Sequence, residues 1–200
     1  MRARGSVLVV IGTLVFAQHA VADLWTTPTP VSEINTQYDE GAPFLSYDGH
    51  TLYFSRYQPN PQWLYSATRM SPDAPFGVAM PLAEINTSDG RANYSWVSPD
   101  NLRLYYYTYT NRHIIKMSTR ISVDDAWSAG VSIAELNSLG GVANPSLTPD
   151  ELTIVFTGTN VSGGLGGYDI WMGTRTDTAS SFGNWTKRLR RLTATIQCVC

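Results

Sequence analysis

Aspartate stands at three matched places in this chain, in Ser46-Tyr47-Asp48-Gly49, Ser98-Pro99-Asp100-Asn101 and Thr148-Pro149-Asp150-Glu151. A ring of carboxylates could chelate a metal ion or share acid and base roles between its members. Each of these aspartates, however, follows a Ser or Thr by two residues and precedes a strand-like run: Leu52-Tyr53-Phe54, Leu104-Tyr105-Tyr106 or Ile154-Val155-Phe156. An Asp in that setting accepts bonds from backbone amides and closes a turn, and a following Gly or Asn tolerates positive φ. We therefore expect Asp48, Asp100 and Asp150 to be structural turn residues.

A second set could carry carboxylate chemistry of the glycan-cleaving type: Asp39, Glu40 and Asp89, with His50 or His113. His50 follows a turn and His113 heads a strand, so neither is placed with those carboxylates. The chain has no nucleophile elbow and no zinc-ligand spacing. Gly163-Gly164-Leu165-Gly166-Gly167 lacks the Lys and Ser or Thr of a phosphate-binding loop and leads into a strand. No metal or cofactor is called for, and no residue receives a catalytic role. A non-enzymatic role is favoured, with a glycan-cleaving hydrolase or lyase as the alternative.

These residues sit in a repeat. Ser32-Glu33-Ile34-Asn35, Ala83-Glu84-Ile85-Asn86 and Ala134-Glu135-Leu136-Asn137 stand 51 residues apart, and each copy later reaches Thr-Arg, at Thr68-Arg69, Thr119-Arg120 and Thr174-Arg175. The punctuation within a copy gives four short strands. The first spans Pro43 to Ser46, Tyr94 to Ser98 or Pro145 to Thr148, and the apolar aromatic run is the second. Trp63 to Ser66, Ile114 to Met117 or Asp169 to Met172 is the third, and the fourth follows Phe76, Trp127 or Phe182. A period near 50 with four strands per copy predicts β-propeller blades, at about residues 31–80, 81–131 and 132–185. Trp25 lies 51 residues before Phe76, which marks an outer strand of a preceding blade.

Ser-Pro-Asp turns, Leu-Tyr-Phe strands, the glycine-rich loop 163–167 and Tyr168-Asp169-Ile170-Trp171 together resemble the TolB-like, WD-like propeller repeat of exported bacterial proteins. The resemblance covers about residues 24 to 185 and implies a scaffold fold, without fixing a function. Such propellers close with six or more blades, whereas three whole copies are visible. An open stack leaves two apolar sheet faces. Two copies forming a homodimer could close a six-bladed ring, or the chain is a truncated relative of a larger propeller protein, a partial propeller.

Arg2 and Arg4 precede an apolar run from Val7 to Ala17 that is too short to span a bilayer, and Ala20-Val21-Ala22 has the form a signal peptidase requires. Residues 1–22 are thus expected to be a cleaved signal, with Asp23 the mature start of the repeat domain 23–185. No later stretch has transmembrane length, so the product is expected to be periplasmic or secreted. Cys198 and Cys200 are poorly spaced to bridge each other. Without the signal arginines and the four basic residues of the tail 186–200, 8 basic residues face 16 acidic ones, which repels nucleic acid. The tail is expected to lie outside the fold.

Loops entering the first strands should converge on one mouth: Tyr38–Gly41, Asp89–Asn93 and Gly140–Asn144. Asp39, Glu40, Arg91, Asn93 and Asn144 form the expected contact ring. The function that follows is an exported, non-enzymatic scaffold whose mouth binds a protein or cell-envelope ligand.

Overall fold

The computed structural model describes residues 27–58, 63–89 and 91–186. The expected signal segment, the start at Asp23, Trp25, both cysteines and tail residues 187–200 lie outside the described residues. Those from Val31 onward belong to one contact unit, distinct from the segment ending at Pro30.

The fold is all-β, with three antiparallel four-stranded sheets in sequential order. Sheet 1 holds β1 (Asp39–Leu45), β2 (Thr51–Tyr57), β3 (Trp63–Thr68) and β4 (Met80–Pro81). Sheet 2 holds β5 (Asn93–Val97), β6 (Arg103–Tyr109), β7 (His113–Thr119) and β8 (Val131–Ser132). Sheet 3 holds β9 (Gly141–Leu147), β10 (Thr153–Thr159), β11 (Tyr168–Thr174) and β12 (Gly183–Thr186). Two short helices, α1 (Ala83–Asp89) and α2 (Ala134–Asn137), connect them. The four strands expected of each copy are present.

Side chains that alternate across a strand explain why the second strands are apolar without a break. In β6, Leu104 and Tyr106 face sheet 1 and pack with Tyr53, Leu64 and Ile85, while Tyr105 faces sheet 3 and packs with Ile154, Phe156 and Trp171. All three β6 residues are buried, so sheet 2 is covered on both faces. A third cluster, Ile34, Phe54, Tyr65 and Ala67, lies on the other side of sheet 1.

Each turn aspartate accepts a side-chain hydroxyl bond and an amide bond: Asp48 from Ser46 Oγ and His50 N, Asp100 from Ser98 Oγ and Leu102 N, Asp150 from Thr148 Oγ1 and Leu152 N. The Ser46 hydroxyl bond is the main force holding the Asp48 carboxyl below its ordinary pKa. Thr148 does the same at Asp150, and at Asp100 the bonds outweigh partial burial. The next residue is left-handed in every copy: Gly49 at φ 74°, Asn101 at 60° and Glu151 at 58°. The Thr-Arg repeat is explained at the same place. Arg69, Arg120 and Arg175 each donate from Nε to the carbonyl of that left-handed residue at 2.8 Å. Their guanidinium groups lie over Phe76, Trp127 and Phe182, with the carbon 4.3–4.6 Å from the ring centre.

The first strands begin earlier than Pro43, Tyr94 and Pro145. A bulge interrupts each one, after which pairing resumes, as in Gly41 with Ser55 and Asp39 with Tyr57. The bulge places Ala42, Tyr94 and Asn144 at matched positions with φ of 49°, 47° and 52°. Asn tolerates this conformation, whereas a left-handed Ala costs roughly 1–2 kcal/mol. Ala42→Gly is therefore expected to stabilise the chain by about 0.5–1 kcal/mol, after the larger chain entropy of Gly in the unfolded state is subtracted. Equilibrium urea unfolding checks the sign.

Glu-Ile-Asn does more than open a copy. In the second and third copies it forms a helical turn whose Asn side chain is buried: Asn86 accepts from Leu64 N and donates to Leu64 O, both at 2.9 Å. Asn137 does the same to Ile115, at 2.8 and 2.9 Å. The fourth strands are only two residues long in sheets 1 and 2, and the amide acts there as one more residue of β4 and β8.

Candidate binding site at the loop end of the sheets

The strands place turn residues at one end of each sheet and, at the other, the starts of first and third strands with the ends of second strands. At this loop end, sheet 2 gathers aromatic side chains. Tyr94 stacks on Tyr107 with centroids 5.8 Å apart, and His113 meets Tyr107 at 5.2 Å and Tyr109 at 5.1 Å, edge to face. Tyr168, at the start of β11, reaches His113 at 6.3 Å. From sheet 1, the Tyr57 hydroxyl donates to Asn93 Oδ1 at 3.3 Å. Arg91, Tyr107, Tyr109 and His113 line an open cavity of about 340 Å³.

Burial pushes the Tyr107 phenol up to about 12, helped by the nearby hydroxyls of Tyr57, Tyr94 and Tyr168. Burial also holds His113 below its ordinary value, so its ring is neutral at pH 7. The cavity thus offers neutral aromatic faces, several hydroxyls and one guanidinium. That combination stacks against a flat apolar face while bonding polar groups at its rim.

The five expected contact residues divide. Arg91 is exposed and lines the cavity. Asn93 is buried beneath it, accepting from Ser55 Oγ and its own chain's Tyr94 N, so it supports the site from below. Glu40 is committed to Arg56 at 2.8 Å and to Thr36; burial works against its charge, yet these bonds hold its carboxyl below the ordinary range. Asp39 is exposed at the start of β1, and Asn144 is exposed on its bulge, donating to Thr157 Oγ1. Four of the five lie within strands instead of loops, because pairing continues past the bulges.

Of the carboxylates considered from sequence, the Asp89 side chain lies outside the described residues. Asp39 and Glu40 are neighbours in one strand and point to opposite faces. His50 sits at the turn end with Nδ1 3.1 Å from the Arg69 carbonyl, at the opposite end of the strands from His113. Among the described residues, no three His, Cys, Asp or Glu side chains are placed to hold a metal ion.

A larger cavity of about 500 Å³ lies between sheets 1 and 2 at the turn end, lined by Asp48, Glu84, Arg120 and Trp127 among others. Two of its charged groups are already engaged, Asp48 in its turn and Arg120 with the Asn101 and Val123 carbonyls. The aromatic cavity is the better candidate.

Sequence reasoning placed Arg91 and Asn93 but missed Tyr94, Tyr107, Tyr109 and Tyr168 as site residues. A signal was present, since Tyr57 and Tyr109 end second strands and Trp63, His113 and Tyr168 begin third strands in matched positions. No protein-family model matches the chain, and no curated protein is significantly similar to it.

Proposed function

We propose that this protein is an exported, non-enzymatic β-propeller scaffold of the TolB-like repeat type, whose mouth binds a protein or cell-envelope ligand. Each four-stranded sheet is a blade in this reading, and the loop end of the sheets faces the mouth. The observation that carries it is the cavity that Tyr107, Tyr109 and His113 line with Arg91, flanked by Tyr94 stacked on Tyr107 and by Tyr168 against His113. The export pattern at the N-terminus supports a periplasmic or secreted location, where peptides and glycans of the envelope are the available partners. Both classes offer flat apolar faces edged by polar groups. Tyr and Arg are the residue types that dominate such contacts.

Binding of envelope glycans and envelope proteins to immobilised protein tests the proposal. Tyr107→Ala and Arg91→Ala are each expected to weaken the bound ligand about 30-fold, equivalent to about 2 kcal/mol. Met70→Ala, at an exposed site beyond the turn-end terminus of β3, should change nothing. Equal binding by all three variants would remove the mouth as the site. Turnover of a glycan would remove the non-enzymatic assignment.

A further inference from the structure

We propose that the open face of sheet 3 docks the open face of sheet 1 of a second copy of this chain, with the partner's Asn35 seated on the backbone of Ile170. The proposal rests on reading the three sheets as blades. It is drawn from the two interfaces that the chain already makes within itself.

Those interfaces share three features, and the free faces carry the halves of a third such interface. The first is the asparagine plug. Leu64 and Ile115 occupy matched positions in β3 and β7, and each receives the Asn of the following copy on its backbone N–H and C=O. Ile170 holds that position in β11, and residues 187–200 contain no Glu-Ile-Asn. At the other end, Asn35 holds the place of Asn86 and Asn137, yet it is exposed where they are 3% and 5% exposed.

The second feature is burial. Leu64 and Ile115 are fully buried under the next sheet, whereas Ile170 is 63% exposed. Tyr53 and Tyr105 are 1% exposed, while Val155 in the same position of β10 is 36% exposed. On the opposing side Val97 and Leu147 are buried, and Leu45 of sheet 1 is 46% exposed.

The third feature is polar matching between neighbouring turns. The Tyr53 hydroxyl donates to Asn101 Oδ1 at 2.7 Å, and the Tyr105 hydroxyl donates to Glu151 Oε2 at 3.0 Å. At the free faces the donor position is Val155 and the acceptor position is Gly49, neither of which has a polar side-chain atom. Bringing these two together strands no donor or acceptor. A two-fold axis makes both sheet-3-to-sheet-1 contacts at once and leaves neither face open.

The test is the solution mass of the full chain by light scattering on a sizing column, with amide hydrogen exchange measured in parallel. The expected result is a discrete species of about twice the 22.0 kDa chain mass. Asn35→Ala should leave a protected Ile115 amide within each copy while weakening the dimer. Loss of a buried plug is expected to cost about tenfold at each of two contacts, or about a hundredfold in the dissociation constant. Ile170→Lys, which places a charge in the centre of the face, should give a monomer with the same internal protection. A monomeric wild type with protected Ile115 overturns the docking and leaves the blade reading in place, the free faces then belonging to further blades of a longer chain. A dimer indifferent to both substitutions also overturns the docking. Amides unprotected in all three sheets overturn the docking and the blade reading together.

Discussion

Glu151→Ala is expected to destabilise the protein by about 3–5 kcal/mol, a large share of the about 5–15 kcal/mol that holds a typical domain folded. Glu151 is 2% exposed, and its carboxylate joins three groups from two sheets. Arg103 Nε donates to one oxygen at 2.7 Å, the Tyr105 hydroxyl donates to the other at 3.0 Å, and Arg175 Nη2 lies 3.6 Å from it. Burial, and then the Glu151 charge, push the Tyr105 phenol up to about 12. Removing the carboxylate leaves the nearly buried Arg175 without its counter-charge and the Tyr105 hydroxyl without its acceptor. Desolvation, more than lost attraction, sets the size of the effect. Glu151→Gly separates this role from the turn: it loses the same charge but relieves the left-handed φ of 58°, so it should recover about 1 kcal/mol relative to Ala. Guanidinium unfolding of both variants checks the order. A loss below about 1 kcal/mol for Ala would show that the three partners are satisfied without Glu151.

The second large effect is expected at Asn137. Its side chain serves Ile115 N and O and also donates to Ser132 Oγ at 2.7 Å, all at the fully buried Ile115. Asn137→Ala leaves the buried Ile115 amide unpaired and its carbonyl with the Ile133 amide alone, so a loss of about 1–3 kcal/mol is expected. Asn137→Asp should be at least as damaging, because its carboxylate can still accept from Ile115 N but presents an oxygen to Ile115 O and adds a buried charge. The local readout is hydrogen exchange at the Ile115 amide, protected in the wild type and opened in both variants. An unchanged exchange rate would mean that the short β8 closes the sheet without the plug.

The legible part of this fold was the part written locally. The 51-residue spacing, the Ser or Thr two residues before each Asp, and the apolar runs announced three units of four strands, and those strands are present. Turn chemistry joins residues two to five apart, so spacing alone reveals it. Thr-Arg and the aromatic before each fourth strand were visible as marks, but their joint purpose was not: Arg120 reaches back to Asn101 while covering Trp127.

The site was less legible. Arg91 was picked out because it precedes a first strand, yet Asn93 turned out to support the cavity from beneath and Glu40 to be tied to Arg56. The loops were expected to end at Pro43 and Tyr94, and the bulges moved that boundary. A bulge depends on the register of two strands, and nothing in one strand alone states it.

From the sequence by itself came the repeat, the strand order within each copy and the turn residues, because each depends on contacts between near neighbours along the chain. Only the tertiary structure decided that Glu151 is a buried hub, that Asn86 and Asn137 complete the strands of the preceding sheet, and that Tyr107, Tyr109 and His113 line one cavity with Arg91. Their partners lie far off along the chain, 46 residues away for Tyr105 and Glu151 and 22 for Asn137 and Ile115. Such pairs meet only when sheets stack, and side-chain burial, which sets the strength of each contact, exists only after they have done so.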